Sequence, residues 1–316
     1  MALLSLNNEF IKTCFYILIQ SIHKHEKLIK IIEYIRGLYR YPNKMLGRKV
    51  PYEHVGNTDV LVFAAHPDDE ILGLGTILYR HSLNGENIKV IFVTNGSGRG
   101  GESWYLKTSE GIKKTNVRHL EAVQALSHIN ISKENIFCLG FPDGGSQRYL
   151  KKMSDDILEL VQKLNPDRIY AHCIEGGHRD HDITSLVVKS VCNKLGYSNL
   201  YEWTEYNYKH PLGSQEIKFL KTHSTQNNEI RIKISEDERS LKRKMLACHN
   251  SQDVEQYFLQ GEAIRQVDLS KLEIEINEDF KRYNKRVLPL VKEFYKSVFM
   301  LYVWVNFPTV ILIKHL

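Results

Sequence analysis

The sequence predicts an α/β fold: a mostly parallel sheet with helices on both faces, extra strands at its edge, and added helices at the N- and C-termini. Three observations carry this. Short apolar, β-favouring runs alternate with stretches of helical periodicity from residue 59 to residue 195. Two of those runs, 59–65 and 168–171, end abruptly in clusters of imidazoles and carboxylates. At 316 residues, with 42% hydrophobic and 25% charged side chains, the chain is long enough to enclose a large core and has an ordinary globular composition.

The N-terminal arm places Phe15, Leu18, Ile22, Leu28, Ile31, Ile32, Ile35 and Leu38 at roughly helical spacing, which predicts one or two amphipathic helices. Tyr39 to Lys44 then breaks the pattern as a linker. The core opens with a strand over 59–65 and a helix over Glu70 to His81. Asn84-Gly85 makes a turn and Ile88 to Thr94 a second buried strand. Gly96 to Gly101 contains GxGxxG, and Glu102 to Gly111 reads as a long mobile loop suited to lining a pocket.

Thr115 to Ser127 is an amphipathic helix in which Arg118 and Glu121 form either a surface ion pair or part of a pocket. A third strand follows over Ile136 to Leu139. Asp143, in Pro142-Asp143-Gly144-Gly145, is by spacing a turn former, with a sugar-hydroxyl contact as the alternative. Met153 to Leu164 is helical, Arg168 to Ala171 is a strand, and Ile183 to Leu195 is a helix. Beyond Gly196, Leu200 to Tyr206 and Ile230 to Ile234 read as edge strands and Leu241 to Ala247 as a helix. His223 and His249 stand alone and are expected to be structural or surface residues.

The chemistry concentrates at the two strand ends. In α/β proteins, ligands gather beyond the carboxyl ends of strands. The first cluster is His66-Pro67-Asp68-Asp69-Glu70; the second runs from His172 through Glu175, His178 and Asp180 to His181 and Asp182. A lone His-x-x-Asp would more simply cap a helix. Two such clusters together offer His66, Asp69 and His181 as three ligands of a divalent metal, the usual count for a catalytic zinc, and leave Asp68, His178 and Asp180 for acid and base work.

Ala65-His66-Pro67-Asp68-Asp69-Glu70 matches in all six places the AHPDDE signature of the LmbE-like, or PIG-L-type, N-acetylglucosaminide deacetylases. His178-Arg179-Asp180-His181 resembles that family's HPDH motif, with Arg179 where proline is usual. Smaller likenesses lie at Arg118 to Glu121, Leu139 to Gly144 and Lys244 to Gln252, so that the resemblance spans residues 58 to 255. It implies a Rossmann-like sheet and a zinc-dependent hydrolase that removes acetyl from an N-acetylated amino sugar, small or linked to a lipid or polysaccharide. In that picture His66, Asp69 and His181 hold zinc and Asp68 is the general base. A protonated His178, oriented by Asp180, stabilises the oxyanion and assists departure of the amine. Arg118 and Asp143 would touch substrate. Two alternatives are a nucleotide-binding oxidoreductase using Gly96 to Gly101, and a non-catalytic sugar-binding or membrane-associated protein of the same fold.

The net charge is +6, and residues 1–50 account for all of it with nine Lys or Arg against three Glu. Such an arm presents either a solvated face or a surface for anionic lipid. No nucleic-acid partner is expected. The five cysteines form no CxxC pair, which points to a reducing compartment, hence the cytoplasm; Cys173 is expected to be a buried structural thiol. Val298 to Ile313 is apolar but would reach only about 24 Å as a helix against a hydrocarbon core of about 30 Å, and Pro308 interrupts it. It is therefore expected either to dock on the protein, against the N-terminal helices, or to insert shallowly into a membrane surface on the cytoplasmic face. The organisation expected is an arm and linker over 1–57, the chemistry-bearing domain over 58–270, and a helical extension over 271–316.

Overall fold

The computed structural model describes residues 26–39, 45–51, 57–98, 108–221 and 228–306. The expectations for residues 1–25, for the rest of the linker, for His223 and for the end of the apolar tail lie outside them.

Seven strands form one sheet in the order β3-β2-β1-β4-β5-β7-β6. They are β1 (Val60–Ala64), β2 (Ile88–Thr94), β3 (Ile136–Phe141), β4 (Arg168–His172), β5 (Leu200–Thr204), β6 (Ile230–Arg231) and β7 (Ala263–Gln266). The first five are mutually parallel, while β7 runs antiparallel to β5 and β6 antiparallel to β7. Every residue of β1 is buried because each face is covered. Leu61 and Phe63 enter one core; Val60, Val62 and Ala64 enter the other. That is why the strand reads as a continuous apolar run and not as an alternation.

Helices α2 (Asp69–Leu83), α3 (Thr108–Ser127) and α6 (Glu236–Leu246) cover one face. On the other lie α4 (Leu150–Leu164), α5 (Arg179–Leu195) and α7 (Leu288–Asn306), the last burying Leu288, Val291 and Phe294. Helix α1 (Glu26–Tyr39) packs beside α7. Between β1 and β4 the strand order reverses, which opens a crevice at their carboxyl ends. Both clusters are delivered there.

Four expectations needed correction. Helix α3 begins at Thr108, so the tail of the predicted loop over Glu102 to Gly111 is helical; residues 102–107 lie outside the described set. Helix α5 begins at Arg179, four residues before the expected Ile183, because acidic residues that suit a helix N-terminus interrupted the apolar pattern. Helix α6 begins at Glu236 under a capping box between Ser235 and Glu238, and the strand expected over Ile230 to Ile234 is only two residues long. Strand β7 was missed: four residues, Ala-Ile-Arg-Gln, carry too little pattern without their partner β5.

Candidate active site

Strand β1 hands the chain to α2 through residues 65–68, and every part of that turn is held. Thr94 donates its N–H and hydroxyl to the Ala65 carbonyl, at 2.9 and 2.8 Å. His172 Nε2 accepts the Ala65 N–H at 3.0 Å. Asp69 Oδ2 accepts the His66 N–H at 2.7 Å, and Glu70 Oε2 accepts the Asp68 N–H at 3.0 Å. Asp68 sits at φ 126°, a region that favours glycine, and its side chain caps nothing. The helix-cap reading of this aspartate is thereby set aside; a strained, uncapped carboxylate at a strand end is a functional pattern.

The second cluster is stapled from a distance. Asp182 Oδ1 accepts the N–H groups of Glu175 and Gly176 at 2.9 and 3.2 Å, and Asn284 donates to Asp182 Oδ2. Glu175 in turn accepts from the Glu205 N–H at 2.7 Å, the Asn207 amide at 2.8 Å and the Thr204 hydroxyl. Helix α5 starts with His178 as its cap, Nδ1 accepting the Asp180 N–H at 3.2 Å. Arg179 takes the first helical position, which proline also suits because its N–H has no partner within the helix. The Asp180 carboxylate lies within 4.8 Å of a His178 ring nitrogen. It accepts from Gly144 N–H at 2.6 Å and Ser146 Oγ at 2.5 Å, and faces His66 Nε2 at 3.3 Å.

The clusters converge on one oxygen. Asp69 Oδ2 lies 3.2 Å from His66 Nδ1 and 3.3 Å from His181 Nε2. A tetrahedral metal cation with metal–ligand bonds of about 2.0 Å separates its ligand atoms by about 3.3 Å, and each of these two distances is of that size; among the described residues, the groups whose ligand atoms all lie within 4.8 Å of one another place Asp69 with His172, His181 and Glu205, and His66 in other groups. His181 is 1% exposed, yet neither ring nitrogen has a well-directed hydrogen bond. A buried imidazole with free lone-pair capacity is the donor such a cation requires. The group His66, His178 and His181 also brings three ligand atoms within 4.8 Å of one another.

Charge sorts the remaining groups. Burial raises the pKa of Asp69, but His181 and His66 beside it hold the carboxyl well below the usual range. Burial pushes Asp68 up to about 6 against the opposing pull of Arg118. Burial, and then His66, push His178 down to about 4. Burial therefore favours the neutral imidazole at His178, where the sequence predicts a cation. With Nδ1 accepting from Asp180, its proton sits on Nε2 as a donor.

Residues 61–192, which contain all six of these candidate metal and catalytic residues, match the family model described as PIG-L, GlcNAc-PI de-N-acetylase. This segment is a PIG-L family domain. No curated protein sequence matches the chain. Among solved structures, a deacetylase of the teicoplanin pathway bound to teicoplanin is 17% identical, covering 67% of this chain and 100% of its own, with a TM-score of 0.52. The N,N'-diacetylchitobiose deacetylase of Pyrococcus horikoshii is 18% identical over 75% of this chain and 92% of its own, with a TM-score of 0.50. At such identities these likenesses establish the α/β fold.

Within the PIG-L domain, Arg118 is 5% exposed and makes no ion pair with Glu121. Its Nη2 donates to Asp68 Oδ1 at 2.9 Å and Pro67 O at 2.7 Å, and its Nη1 to Gly96 O at 2.9 Å. Glu121 instead accepts from Ser251 N–H at 2.8 Å. Asp143 is more than a turn former: Oδ1 lies 3.3 Å from His66 Nε2, and Oδ2 accepts the Gly98 N–H at 3.0 Å. An acidic partner for the Gly98 N–H disfavours a phosphate at that position; residues 99–101 of the glycine loop lie outside the described set. A cleft of about 380 Å³ opens beside Arg118, between Gly96, Gly98, Lys113, Ser251 and Gln252.

Sequence reasoning places His172, Glu175 and Asp182 in the second cluster without giving them a role, and misses Glu205. Each is buried, and each is recognisable only by what it touches. His249, expected to be structural or at the surface, is buried at 1% with both ring nitrogens unpartnered. Cys173 is buried, and burial pushes its thiol well up, as a structural role requires.

Proposed function

We propose that this protein is a zinc-dependent N-deacetylase that hydrolyses the acetamide of an N-acetylated amino sugar carried on a larger aglycone, a lipid or polysaccharide precursor. The observation that carries the reading is the division of labour between adjacent aspartates. Asp69 Oδ2 lies between His66 Nδ1 and His181 Nε2, while Asp68 points instead to Arg118. A site built only to bind has no use for that second, strained carboxylate.

His66, Asp69 and His181 would hold the metal. Zinc there supplies Lewis acidity toward a carbonyl and acidifies water to a pKa of about 7. Asp68, positioned by Arg118, takes the proton of the attacking water as the new C–O bond forms. His178 donates from Nε2 to the oxygen on which negative charge develops. The proton held by Asp68 passes to nitrogen as the C–N bond breaks, giving acetate and a free amine. Asp143 and Arg118 border the space in which the sugar would lie.

The family description and the deacetylases among the structural neighbours support the reaction class. Four described cysteines are free and buried, which supports a cytoplasmic location. The test is elemental analysis of the wild type beside His181→Ala, followed by acetate release from N-acetylglucosamine conjugates. About one zinc per chain, absent from the variant, with acetate release from the wild type, is the expected result. Protein that binds no metal even after zinc supplementation would overturn the reading.

A further inference from the structure

Helix α1 is amphipathic in the opposite sense to a helix whose outer face meets water. Its inner side buries Ile29 and Glu33, at 4% and 2% exposed. Glu33 anchors the helix through Arg148 Nε at 2.7 Å and also pairs with Arg36 Nη1 of the same helix at 2.9 Å. The outer side carries Leu28, Ile31, Tyr34 and Ile35, at 37%, 54%, 68% and 57% exposed. Their spacing puts all four on one face, where a solvated helix would be polar, and exposed Lys27 stands among them. Single exposed apolar residues are ordinary; a continuous stripe marks an interaction surface.

A second helix adjoins α1. Lys30 of α1 pairs with Glu293 of α7 at 2.5 Å, and α7 presents exposed Lys292 and Lys296 beside that pair. The backbone of α7 continues as helix through residues 299–305, whose sequence, Phe-Met-Leu-Tyr-Val-Trp-Val, is wholly apolar. Between the two helices lies a mostly apolar cavity of about 660 Å³, bordered by Tyr34, Gly37, Tyr149, Leu290 and Phe294.

We propose that this face, α1 together with α7, docks on the surface of an anionic phospholipid bilayer. An apolar stripe flanked by lysines is the arrangement that lies in a membrane interface, acyl chains meeting the stripe and anionic headgroups the bases. Charge complementarity points to an anionic surface: exposed Lys27, Lys292 and Lys296 border the apolar stripe, and residues 1–50, the segment that holds α1, carry a net +6. Among the described residues no helix is long and apolar enough to cross a membrane, so the contact is peripheral. The face is also tied to the candidate active site. Tyr149 Oη donates to the Gly37 carbonyl at 3.1 Å, and the same short turn, Ser146–Tyr149, carries the Ser146 that fixes Asp180. The proposal stands apart from the deacetylase reading and does not require it.

The test is co-sedimentation of the full chain with vesicles of phosphatidylcholine alone and of phosphatidylcholine mixed with phosphatidylglycerol. The wild type should partition to the mixed vesicles and be released by added salt. The double variant Ile31→Glu/Ile35→Glu, altered only at exposed positions, should lose about tenfold or more in partitioning. Lys292→Glu/Lys296→Glu should abolish the preference for anionic vesicles. Circular dichroism of each variant should match the wild type. Wild-type protein that stays in the supernatant with both vesicles, or an Ile31→Glu/Ile35→Glu variant that partitions as the wild type does, would overturn the proposal. So would a wild-type dimer, seen by light scattering, that the isoleucine variant dissolves while neither protein sediments; the face would then be a contact between copies.

Discussion

At the end of β1 the chain passes from strand to helix in four residues; at the end of β4 it takes six. The short turn forces Asp68 to φ 126° and closes on itself through bonds within the His66 to Glu70 stretch. The longer one carries its positive φ on Gly176 and is held by residues brought from elsewhere: Asn284, Thr204, Glu205 and Asn207. Equivalent chemistry, an imidazole with carboxylates at a strand end, is thus positioned in one case by a strained turn with bonds of its own as well as bonds from Thr94, His172 and Arg118, and in the other mainly by residues brought from elsewhere. The first arrangement is compact enough to appear as a motif. The second depends on the assembled fold.

The comparison can be broken first at the point where the two clusters meet. Replacing either His66 or His181 with Ala should remove the metal and with it all measurable acetate release, because neither strand end supplies enough ligands alone. Metal retained in one of these variants, by elemental analysis, would show that a single cluster suffices. Next in size, Asp68→Asn should keep the metal and lower turnover by roughly a hundredfold to ten-thousandfold, the range for losing a general base. Steady-state kinetics on metal-replete protein separate this from metal loss.

The remaining two predictions concern stability. Asp182→Ala leaves the N–H groups of Glu175 and Gly176 and the Asn284 amide without their partner inside the protein. At about 1–3 kcal/mol for an orphaned buried group, a loss of about 3 kcal/mol is expected in urea unfolding. The first turn is also tied from a distance, by Thr94, His172 and Arg118, but of the two turns it alone places a non-glycine residue at positive φ. Asp68→Gly should therefore be more stable than Asp68→Ala by about 1–2 kcal/mol, since glycine accepts φ 126° without strain. Equal stabilities of the two variants would mean that the turn stores no strain.

The parallel core was legible because burial on both faces writes an unbroken apolar run into the sequence: β2 is found at Ile88–Thr94 as its composition predicts, and β1 within one residue at each end. His66, Asp68 and Asp69 were legible for a related reason, since they lie within four consecutive residues directly after a strand, where their residue types form a contiguous motif. What the sequence by itself determined is therefore the sheet, its strand-end clusters and the identity of the groups offered there. Only the tertiary structure decided that Arg118 reaches Asp68 across 50 positions, that Asp143 faces His66, and that α1 turns its apolar side outward. Periodicity reports that a helix has two faces. Which of them is buried depends on partners such as Arg148, and a contact between residues far apart leaves no trace in the spacing of either.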